Sequence, residues 1–568
     1  MKTLTNILNY EINREAIERD FCVVRFENEK DFKKINSKFL DIPDVNVRAL
    51  SYSSGKNAYA LMDKEAYEDL RYSDELENIK YSILNIYNIY DDMLIKLFIN
   101  ALSNYNQELA YNNLTGRFYK FLNNSGSKIK ALDFNVIKYN ENVMLKVSAT
   151  SFKMVKKIPH GEPCYVLTGN NKSLKRTFNV NEGCIYVKCA EKDKKTSYHF
   201  LDIRTGDGRV KEMMSLIDIF NKKFSKYISI SLREYQITNK INPRKTKLQM
   251  ETLPLIMKYK INLVNLITDA AYEDEIIDFK NALKSLKLKT TISSKMKRDS
   301  LNIVLIYDKG YYEENNIEDP HEALDSKFVH QCIIIEHLKD MLNFDNGCLK
   351  PSAHLITVFK ELLIKNDIVN HANSFSYDDW SQYKYNDVYT FIIKNNDDSI
   401  YKMIIEPSGK YNILKEEMDL FNSYENNKYI NIFRNNKNVQ LIVIDDKNNI
   451  NAIERTEIVT LPLAEIFSKL PISKSRKTSD ELYAGLCGIN YFEIDKKYYY
   501  NVGQSLANIQ MQISKASHFY NVICVDDSEC IMPNILELMS VGFVKFNEST
   551  VLPYPIKYLR EYININKK

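Results

Sequence analysis

Residues 301–338 read LNIVLIYDKGYYEENNIEDPHEALDSKFVHQCIIIEHL, and their pattern decides the fold of this chain. The opening run LNIVLIYD predicts a buried strand, and QCIII at 331–335 predicts a second strand after a helical segment near 321–329. Helical periodicity over 272–287 and 352–366 flanks the two strands. Because strands that alternate with helices pair in parallel, this region predicts an α/β fold with a parallel sheet.

Upstream, the chain divides into two parts of different character. Residues 1–114 read as a mixed α/β domain, with a strand at 21–26 and a long helix over about 81–110. Residues 115–235 hold short segments rich in β-branched and aromatic residues, interrupted by one helix near 209–224. Such segments between Asn, Gly and Lys turns predict strands, so the N-terminal half is expected to be β-rich.

Downstream, the chain divides into three further parts. Residues 236–300 read as a basic linker followed by a helix, and residues 301–380 are the α/β part described above. In residues 381–568, consecutive antiparallel strands precede helices and a further strand, an order that fits an RNase H-like α/β layout. The sequence therefore predicts an α/β multidomain protein.

Composition excludes several classes of protein. The chain has 568 residues, 44% of them hydrophobic and 27% charged, which is ordinary for a folded globular protein. No run approaches the roughly 18 apolar residues of a membrane span, and the first residues lack a signal-peptide core, so a cytoplasmic protein without a membrane partner is expected. Nine cysteines without a CxxC argue against a disulfide framework and a zinc ribbon. The lack of Walker A, GxGxxG, HExxH and GxSxG motifs argues against NTP hydrolysis and dinucleotide chemistry.

Basic residues cluster although the net charge is only +4. The candidates for contact with a nucleic-acid backbone are Lys284, Lys287, Lys289, Lys295, Lys297 and Arg298, together with Lys474, Arg476 and Lys477. The first six occur with no acid between them. Clustered cations of this kind bind a phosphate backbone and make the binding salt-dependent. Each cluster by itself fits a solvated helix face or loop equally well.

Carboxylates offer a second chemistry, the metal-dependent cleavage of nucleic acid. A nuclease needs several carboxylates to hold the divalent cations that flank the scissile phosphate. The candidates are Asp398, Glu406 and Asp445, of which Asp445 ends a strongly apolar strand. Lys394 stands where a leading catalytic aspartate would be expected, and a lysine there would repel a metal. These acids are more readily explained as solvated strand ends.

The segment 301–380 resembles the MID domain of Argonaute proteins. The resemblance rests on its order of strand, Asp-Pro-His loop, helix with a lysine, glutamine at the start of a strand, and a later helix with lysines. It implies that His321, Lys327, Gln331 and Lys365 grip the 5′ phosphate of a guide strand. Two ammonium groups, an imidazole and an amide suit a terminal phosphate. Ordinary surface lysines and a strand-start glutamine would give the same pattern.

If this part is a Rossmann-like MID domain, residues 381–568 resemble a short PIWI domain with an RNase H-like fold. Active members slice with an Asp-Glu-Asp set, and here one acid at most, at 445 or 446, finds a place. The resemblance therefore implies an inactive PIWI domain in a protein that binds a short guide DNA or RNA and its complementary target. Such proteins commonly act in prokaryotic defence against plasmids or phages and recruit a separate effector nuclease or helicase. No cofactor is firmly implied, and a Mg²⁺ at the guide 5′ phosphate is left open.

Two other functions stay open at this point. The first is a metal-dependent nuclease with an RNase H-like or restriction-type core, which would cleave nucleic acid by itself when given a divalent metal. The second is a protein–protein scaffold, which would show little salt-dependent affinity for DNA or RNA.

Overall fold

Contacts along this chain concentrate in two groups of residues, and the computed structural model accordingly divides it into two compact units. The first unit is Met1–Gln236, Glu457–Thr478 and Asn508–Ala516, and the second unit is Ile237–Thr456, Ser479–Ala507 and Ser517–Lys568. The residues that the structure describes are 2–27, 47–52, 57–65, 67, 80–105, 109–112, 117–123, 128–155, 164–168, 173–177, 185–188, 209–236, 239–241, 252–345, 348–372, 387–395, 399–416, 424–461, 489–494, 497–501, 518–539, 542–544 and 551–566.

Antiparallel strands dominate the first unit. Its longest hairpin joins Lys128–Tyr139 to Asn142–Val155, and both strands are rich in aromatic and β-branched residues. The prediction of a β-rich region is confirmed, and so are the predicted helix, at Arg209–Phe224, and the predicted strand, at Phe21–Phe26. This unit also holds the strands Lys2–Ile12, Leu109–Asn112, Arg117–Asn123, Cys164–Thr168, Ser173–Thr177, Ile185–Lys188 and Ile228–Gln236, the helix Arg14–Asp20 and the 3₁₀ turn Leu102–Asn104.

The prediction of one continuous helix over 81–110 is wrong. A strand, Tyr81–Leu84, comes first and pairs with Phe21–Phe26 in a four-stranded sheet. The side chain of Asn85 then accepts a hydrogen bond from the next turn and starts a short 3₁₀ segment. The helix itself covers Asp91–Ala101. The sheet has the strand order Val47–Tyr52, Ala58–Asp63, Phe21–Phe26, Tyr81–Leu84.

A parallel sheet organises the second unit, as predicted, and it has four strands, of which the sequence had indicated two. Its strand order is Lys289–Ser293, Lys260–Asn265, Leu301–Ile306, His330–Ile334, with every neighbouring pair parallel. The first two strands and the helix Glu273–Ser285 between them lie in the stretch 236–300, for which the sequence predicted a basic linker and a helix. The sheet therefore begins earlier in the chain than expected. Leu301–Ile306 is buried along its whole length, as a central parallel strand must be.

One face of this sheet packs against two helices. Ile303 and Leu305 belong to a large apolar cluster that includes Phe279 of Glu273–Ser285 and Phe359 of a second helix. The second helix, Ala353–Asn370, is called the long helix below. The side chain of Ser352 caps its first turn, and it ends where His371 takes a left-handed conformation. The C-terminal helix, Tyr554–Asn566, packs on the long helix through Tyr558 and Leu559 of the same cluster.

Most pairs among the remaining described strands of the second unit are antiparallel. The order in one sheet is Tyr411–Glu416, Ile400–Ile405, Tyr389–Lys394, Val439–Ile444 and then the first half of Ile450–Leu461. The helix Tyr424–Asn435 connects two strands that run in opposite directions. The RNase H-like layout of this part stays a prediction. The unit's other elements are the strands Asn239–Ile241, Leu342–Asp345, Cys348–Pro351, Ile489–Ile494, Lys497–Asn501, His518–Val525, Gly542–Val544 and Val551–Pro553, the helices Thr252–Ile256, Lys309–Asn315, Pro320–Ala323 and Met532–Met539, and the 3₁₀ segments Ala270–Tyr272 and Ile335–Met341. No described helix is long and apolar enough to cross a membrane.

Candidate phosphate-binding site

Gln331 and Lys365 come together at the amino end of the parallel sheet, the edge at which its four strands begin. Gln331 is the second residue of the strand His330–Ile334, and Lys365 lies on the long helix packed behind it. The Lys365 ammonium donates to the Gln331 side-chain oxygen at 2.9 Å and to the His330 carbonyl at 2.8 Å. An ammonium has three hydrogens, so one stays available after these two bonds. Both side chains are half-buried, which leaves them reachable from solvent.

Lys327 lies in a turn before this strand, whereas the sequence had placed it on a helix over 321–329. The helix covers Pro320–Ala323 and therefore ends four residues before Lys327. The Asp325 side chain accepts from the Lys327 backbone N–H at 2.9 Å, and the Asp325 carbonyl accepts from Phe328 at 3.1 Å. Aspartate commonly replaces helical hydrogen bonds in this way. Lys327 is exposed, and we call residues 325–329 the lysine turn.

His321 is the remaining member of the predicted phosphate set. It lies on the short helix Pro320–Ala323, and its side chain falls outside what the structure describes. The structure thus joins Gln331 to Lys365, puts Lys327 in the turn that leads into their strand, and leaves the role of His321 as a prediction.

Residues 294–298, called the basic loop, connect the edge strand to the central strand and pass over the strand between them. Two buried asparagines on the sheet hold the backbone of this loop. Asn262 donates to the Lys295 carbonyl at 3.0 Å, and Asn302 accepts from the Lys297 N–H at 2.8 Å. The Arg298 guanidinium lies over the ring of Phe328, 5.8 Å from its centroid. The loop is thereby fixed beside the lysine turn.

The other three predicted cations of this stretch also lie at the amino end. The helix Glu273–Ser285 runs back from the carboxyl end of one strand to the start of the next, so its last turn is at the amino end. Lys284 is in that turn, Lys287 follows it in a left-handed conformation, and Lys289 opens the edge strand. All three are exposed. Lys474, Arg476 and Lys477 lie outside the described residues.

The carboxyl end of the sheet is built differently. In open parallel sheets, ligands bind outside the carboxyl ends of the strands at the point where the strand order reverses. Here that point lies between Lys260–Asn265 and Leu301–Ile306. Tyr307 fills it, because its hydroxyl accepts from the backbone N–H groups of Thr268 at 3.1 Å and Asp269 at 3.0 Å. Two donors that a bound anion could use are therefore already satisfied.

The chain around this crevice is acidic and aromatic. Asp269, Asp308 and Glu336 each follow a different strand of the sheet, and all three are exposed. The Tyr311 ring stacks on that of Tyr307 with 3.9 Å between centroids. Exposed carboxylates repel a polyanion, so the carboxyl end does not suit nucleic acid.

The acids proposed for a nuclease site are not brought together as a metal site in the described part of the chain. Asp398 lies outside the described residues. Glu406 is exposed in a turn, where it accepts from Ser408 at 3.2 Å. Asp445 is buried at the end of its strand and accepts from the Lys447 N–H and from both the backbone and side chain of Asn449, at 2.8–3.0 Å. Within the described ranges, no group of three or more His, Cys, Asp or Glu could hold a metal ion.

A buried ionic network fastens the helix that carries Lys365. On the C-terminal helix, the Lys557 ammonium donates to both oxygens of Glu361 at 2.7 Å and to Glu561 at 2.9 Å. The side chain of Lys557 is 2% exposed. Although burial alone would lower the pKa of Lys557, the two carboxylates raise it, so the side chain stays charged. Sequence patterns gave no sign of the bond between Lys557 and Glu361, because these residues are 196 positions apart in the chain.

Among solved structures, an X-ray crystal structure of Marinitoga piezophila Argonaute in complex with 5′ OH guide RNA and target DNA is similar to this chain, with 10% sequence identity, a TM-score of 0.48 and coverage of 98% of each chain. No protein-family model matches the sequence, and no curated protein matches it. The residues of the site therefore carry the functional argument.

Proposed function

We propose that this chain is an Argonaute-like protein that binds a short guide DNA or RNA and, through it, a complementary target. The guide's 5′ phosphate would lie at the amino end of the parallel sheet, against Lys365, Gln331, Lys327 and His321. The observation that carries the proposal is the direct bond between Lys365 and Gln331 at an edge where six further cations gather. Base pairing with the guide would then select the target, while the protein contacts phosphates.

Electrostatics favour this edge for a phosphate. Charge-assisted hydrogen bonds from ammonium and guanidinium groups to phosphate are among the stronger polar contacts. The cations from Lys284 to Arg298 would bind the guide or target backbone next to the terminal phosphate, and Lys474, Arg476 and Lys477 are proposed to extend that contact. At the opposite edge, exposed acids and a filled crevice disfavour a polyanion. A scaffold without nucleic acid would need no such division of charge.

We infer further that the protein does not cut its target. Asp445 is the best placed acid of the predicted PIWI-like part, and its carboxylate accepts hydrogen bonds from residues of its own turn. Silencing a plasmid or phage target would then require a separate effector nuclease or helicase, in a cytoplasmic defence role. The alternative, a metal-dependent nuclease that uses Asp398, Glu406 and Asp445, predicts divalent-metal-dependent cleavage by the purified protein; the absence of cleavage with loaded guide and matched target supports the non-cutting form.

A Mg²⁺ at the guide 5′ phosphate does not fit the two residues joined here. Magnesium takes oxygen ligands, and the Gln331 side-chain oxygen is already bonded by Lys365. The ammonium would also repel a cation at that position. The phosphate is therefore expected to be neutralised by the side chains themselves.

The test compares guides that differ in their 5′ end alone. Fluorescein-labelled single strands of about 20 nucleotides, in DNA and RNA form and with either a 5′ phosphate or a 5′ hydroxyl, are titrated with the protein. The native protein is expected to prefer the phosphate by about tenfold, the scale of one charge-assisted contact, and Lys365→Ala to lose that preference. Lys360→Ala, on the same helix, is the matched control and should keep it. If Lys365→Ala keeps the native preference for a 5′ phosphate over a 5′ hydroxyl, Lys365 does not bind the phosphate.

A further inference from the structure

Asn302 makes an unusual set of contacts for a residue in an otherwise apolar strand. It is fully buried, and the two hydrogens of its side-chain nitrogen are shared among three carbonyl oxygens, those of Lys297 at 2.9 Å, Ser300 at 3.1 Å and Val329 at 3.0 Å. Its oxygen accepts from the Lys297 N–H at 2.8 Å. Buried amides are costly unless they are hydrogen-bonded, and this one is bonded on both its atoms.

Asn262, the register partner of Asn302 on the neighbouring strand, extends the network. It is also fully buried and donates to the Asn302 oxygen and to the Lys295 carbonyl, both at 3.0 Å. Its oxygen accepts from Thr291 at 3.1 Å and Ser293 at 2.9 Å, on the edge strand. A row of polar side chains therefore crosses three strands beneath the basic loop.

The network joins two segments that are about thirty residues apart in sequence. Through Lys297, Asn302 holds the basic loop, and through Val329 it holds the end of the lysine turn. The Arg298 guanidinium of the basic loop also lies over the Phe328 ring of the lysine turn, so a second contact joins the same two segments. Lys327, next to Phe328, and Arg298 are both exposed there.

We propose that Asn302 is a positioning residue that makes the basic loop and the lysine turn one surface for consecutive phosphates of a bound nucleic acid. This rests on the proposed function, since it names the residue that aligns the cations of that site. Arg298 and Lys327 then belong to a single binding surface rather than to separate backbone and terminal-phosphate contacts. Asparagine suits the task because one amide can bond both a backbone N–H and several carbonyls.

The experiment compares Asn302→Ala with Asn451→Ala in the full chain. Asn451 is an equally buried asparagine of the second unit that bonds Glu529 and Ile531, away from the basic loop. Both variants lose a buried hydrogen-bond network and should lose stability. The 5′-phosphorylated DNA strand of about 20 nucleotides is titrated at several NaCl concentrations, and native-state trypsin cleavage after residues 295, 297 and 298 is followed by mass spectrometry.

In Asn302→Ala we expect the slope of log affinity against log salt to fall by about one to two, because single strands release about 0.7 counterion for each phosphate contact. Cleavage of the basic loop should rise by about tenfold as it opens locally. Asn451→Ala should change neither. If Asn302→Ala keeps the native slope, the positioning role is wrong while the binding function stands. If the native protein itself shows no salt-dependent binding, the proposed function fails and this inference fails with it.

Arg298→Ala and Lys327→Ala provide a second test that leaves the buried network intact. Both side chains are exposed, so both variants should fold. If the two cations bind neighbouring phosphates on one surface, the double variant should lose less affinity than the product of the two single losses, because each loss already loosens the shared strand. Losses that multiply would show two independent contacts and overturn the proposal.

Discussion

At the carboxyl end of the parallel sheet a tyrosine hydroxyl occupies the crevice between two strands, whereas at the amino end an ammonium, an amide and a basic loop stay reachable from solvent. The first end has three exposed carboxylates beside the exposed Lys309, and the second has a cluster of exposed cations beside Asp299. The usual position of a ligand in such sheets is thus closed, and the opposite edge has the charge that a nucleic acid needs. The lesson is that strand topology offers a crevice, but the side chains decide which edge can bind.

Replacing Lys557 tests whether a lysine against the long helix binds a ligand or holds the fold. Lys557→Met leaves the buried Glu361 and the half-buried Glu561 without their cation, and we expect a loss of about 3–5 kcal/mol in the free energy of unfolding. Guide affinity should be unchanged under conditions where the variant is folded. Urea unfolding measures the first quantity and titration with a labelled guide measures the second.

The pH dependence of this variant has a defined sign. Burial raises the pKa of Glu361, so in the variant that carboxyl group binds protons more tightly folded than unfolded. The loss of stability caused by burying the charged Glu361 is small below the pKa that this group has in the unfolded chain. It grows as the pH rises through the pKa that the group has in the folded chain. The loss should therefore be larger at pH 8 than at pH 5. Lys339→Met, which removes the pair between an exposed lysine and Glu275, should change stability little at either pH. Equal losses in the two variants would contradict the structural role.

Charge reversal at the amino end should give the largest effect on binding. In Lys297→Glu/Arg298→Glu, two cations of the basic loop become anions beside the proposed phosphate path. We expect affinity for the 5′-phosphorylated strand to fall by about a hundredfold at low salt, with little effect on folding. Lys309→Glu, an exposed reversal at the carboxyl end, is the control and should change affinity by less than about threefold. A similar loss in both variants would mean that net charge, not the edge, governs binding.

Removing the Tyr307 hydroxyl at the carboxyl end of the sheet should lower the free energy of unfolding and leave guide affinity unchanged. Tyr307→Phe removes the oxygen that accepts from Thr268 and Asp269, so two backbone donors lose their partner. We expect a loss of about 1–3 kcal/mol in the free energy of unfolding, measured by urea denaturation. Guide affinity and its salt dependence should match the native protein. Weaker guide binding in this variant would show that the closed crevice takes part in the site.

Sequence patterns predicted the parallel sheet because its central strand, LNIVLI, is apolar except for Asn302 and helices flank it. They missed two of the four strands, since KINLVN and KTTIS are short and follow a polar stretch that reads as a linker. They also extended the helix at 321–329 through Asp325, whose side chain ends it. Helix propensities of single residues do not account for such hydrogen bonds between a side chain and the backbone.

The candidate site was predicted in part. Gln331 and Lys365 came from a resemblance, and the bond between them depends on packing between residues 34 positions apart. Asn262 and Asn302 were missed, although a signal exists: asparagine is rare in strands, and here it interrupts two apolar strands. An amide placed there needs polar partners inside the fold, and the backbone of a loop that crosses the sheet supplies them.

Asp299 provides the finest test of the difference between the two ends, because it is an acid set among the cations of the amino end. It follows the basic loop directly and bonds Lys260 at 3.0 Å; that hydrogen bond lowers the pKa of Asp299, which therefore carries its charge at neutral pH. Asp299→Asn removes the negative charge and frees the Lys260 ammonium for a phosphate. We expect affinity for the 5′-phosphorylated strand to rise by about two- to threefold and its salt slope to steepen slightly. Glu313→Gln, which frees Lys309 at the carboxyl end, should leave both unchanged. An equal gain in the two variants would mean that the bound strand responds to the overall charge of the sheet rather than to its amino end.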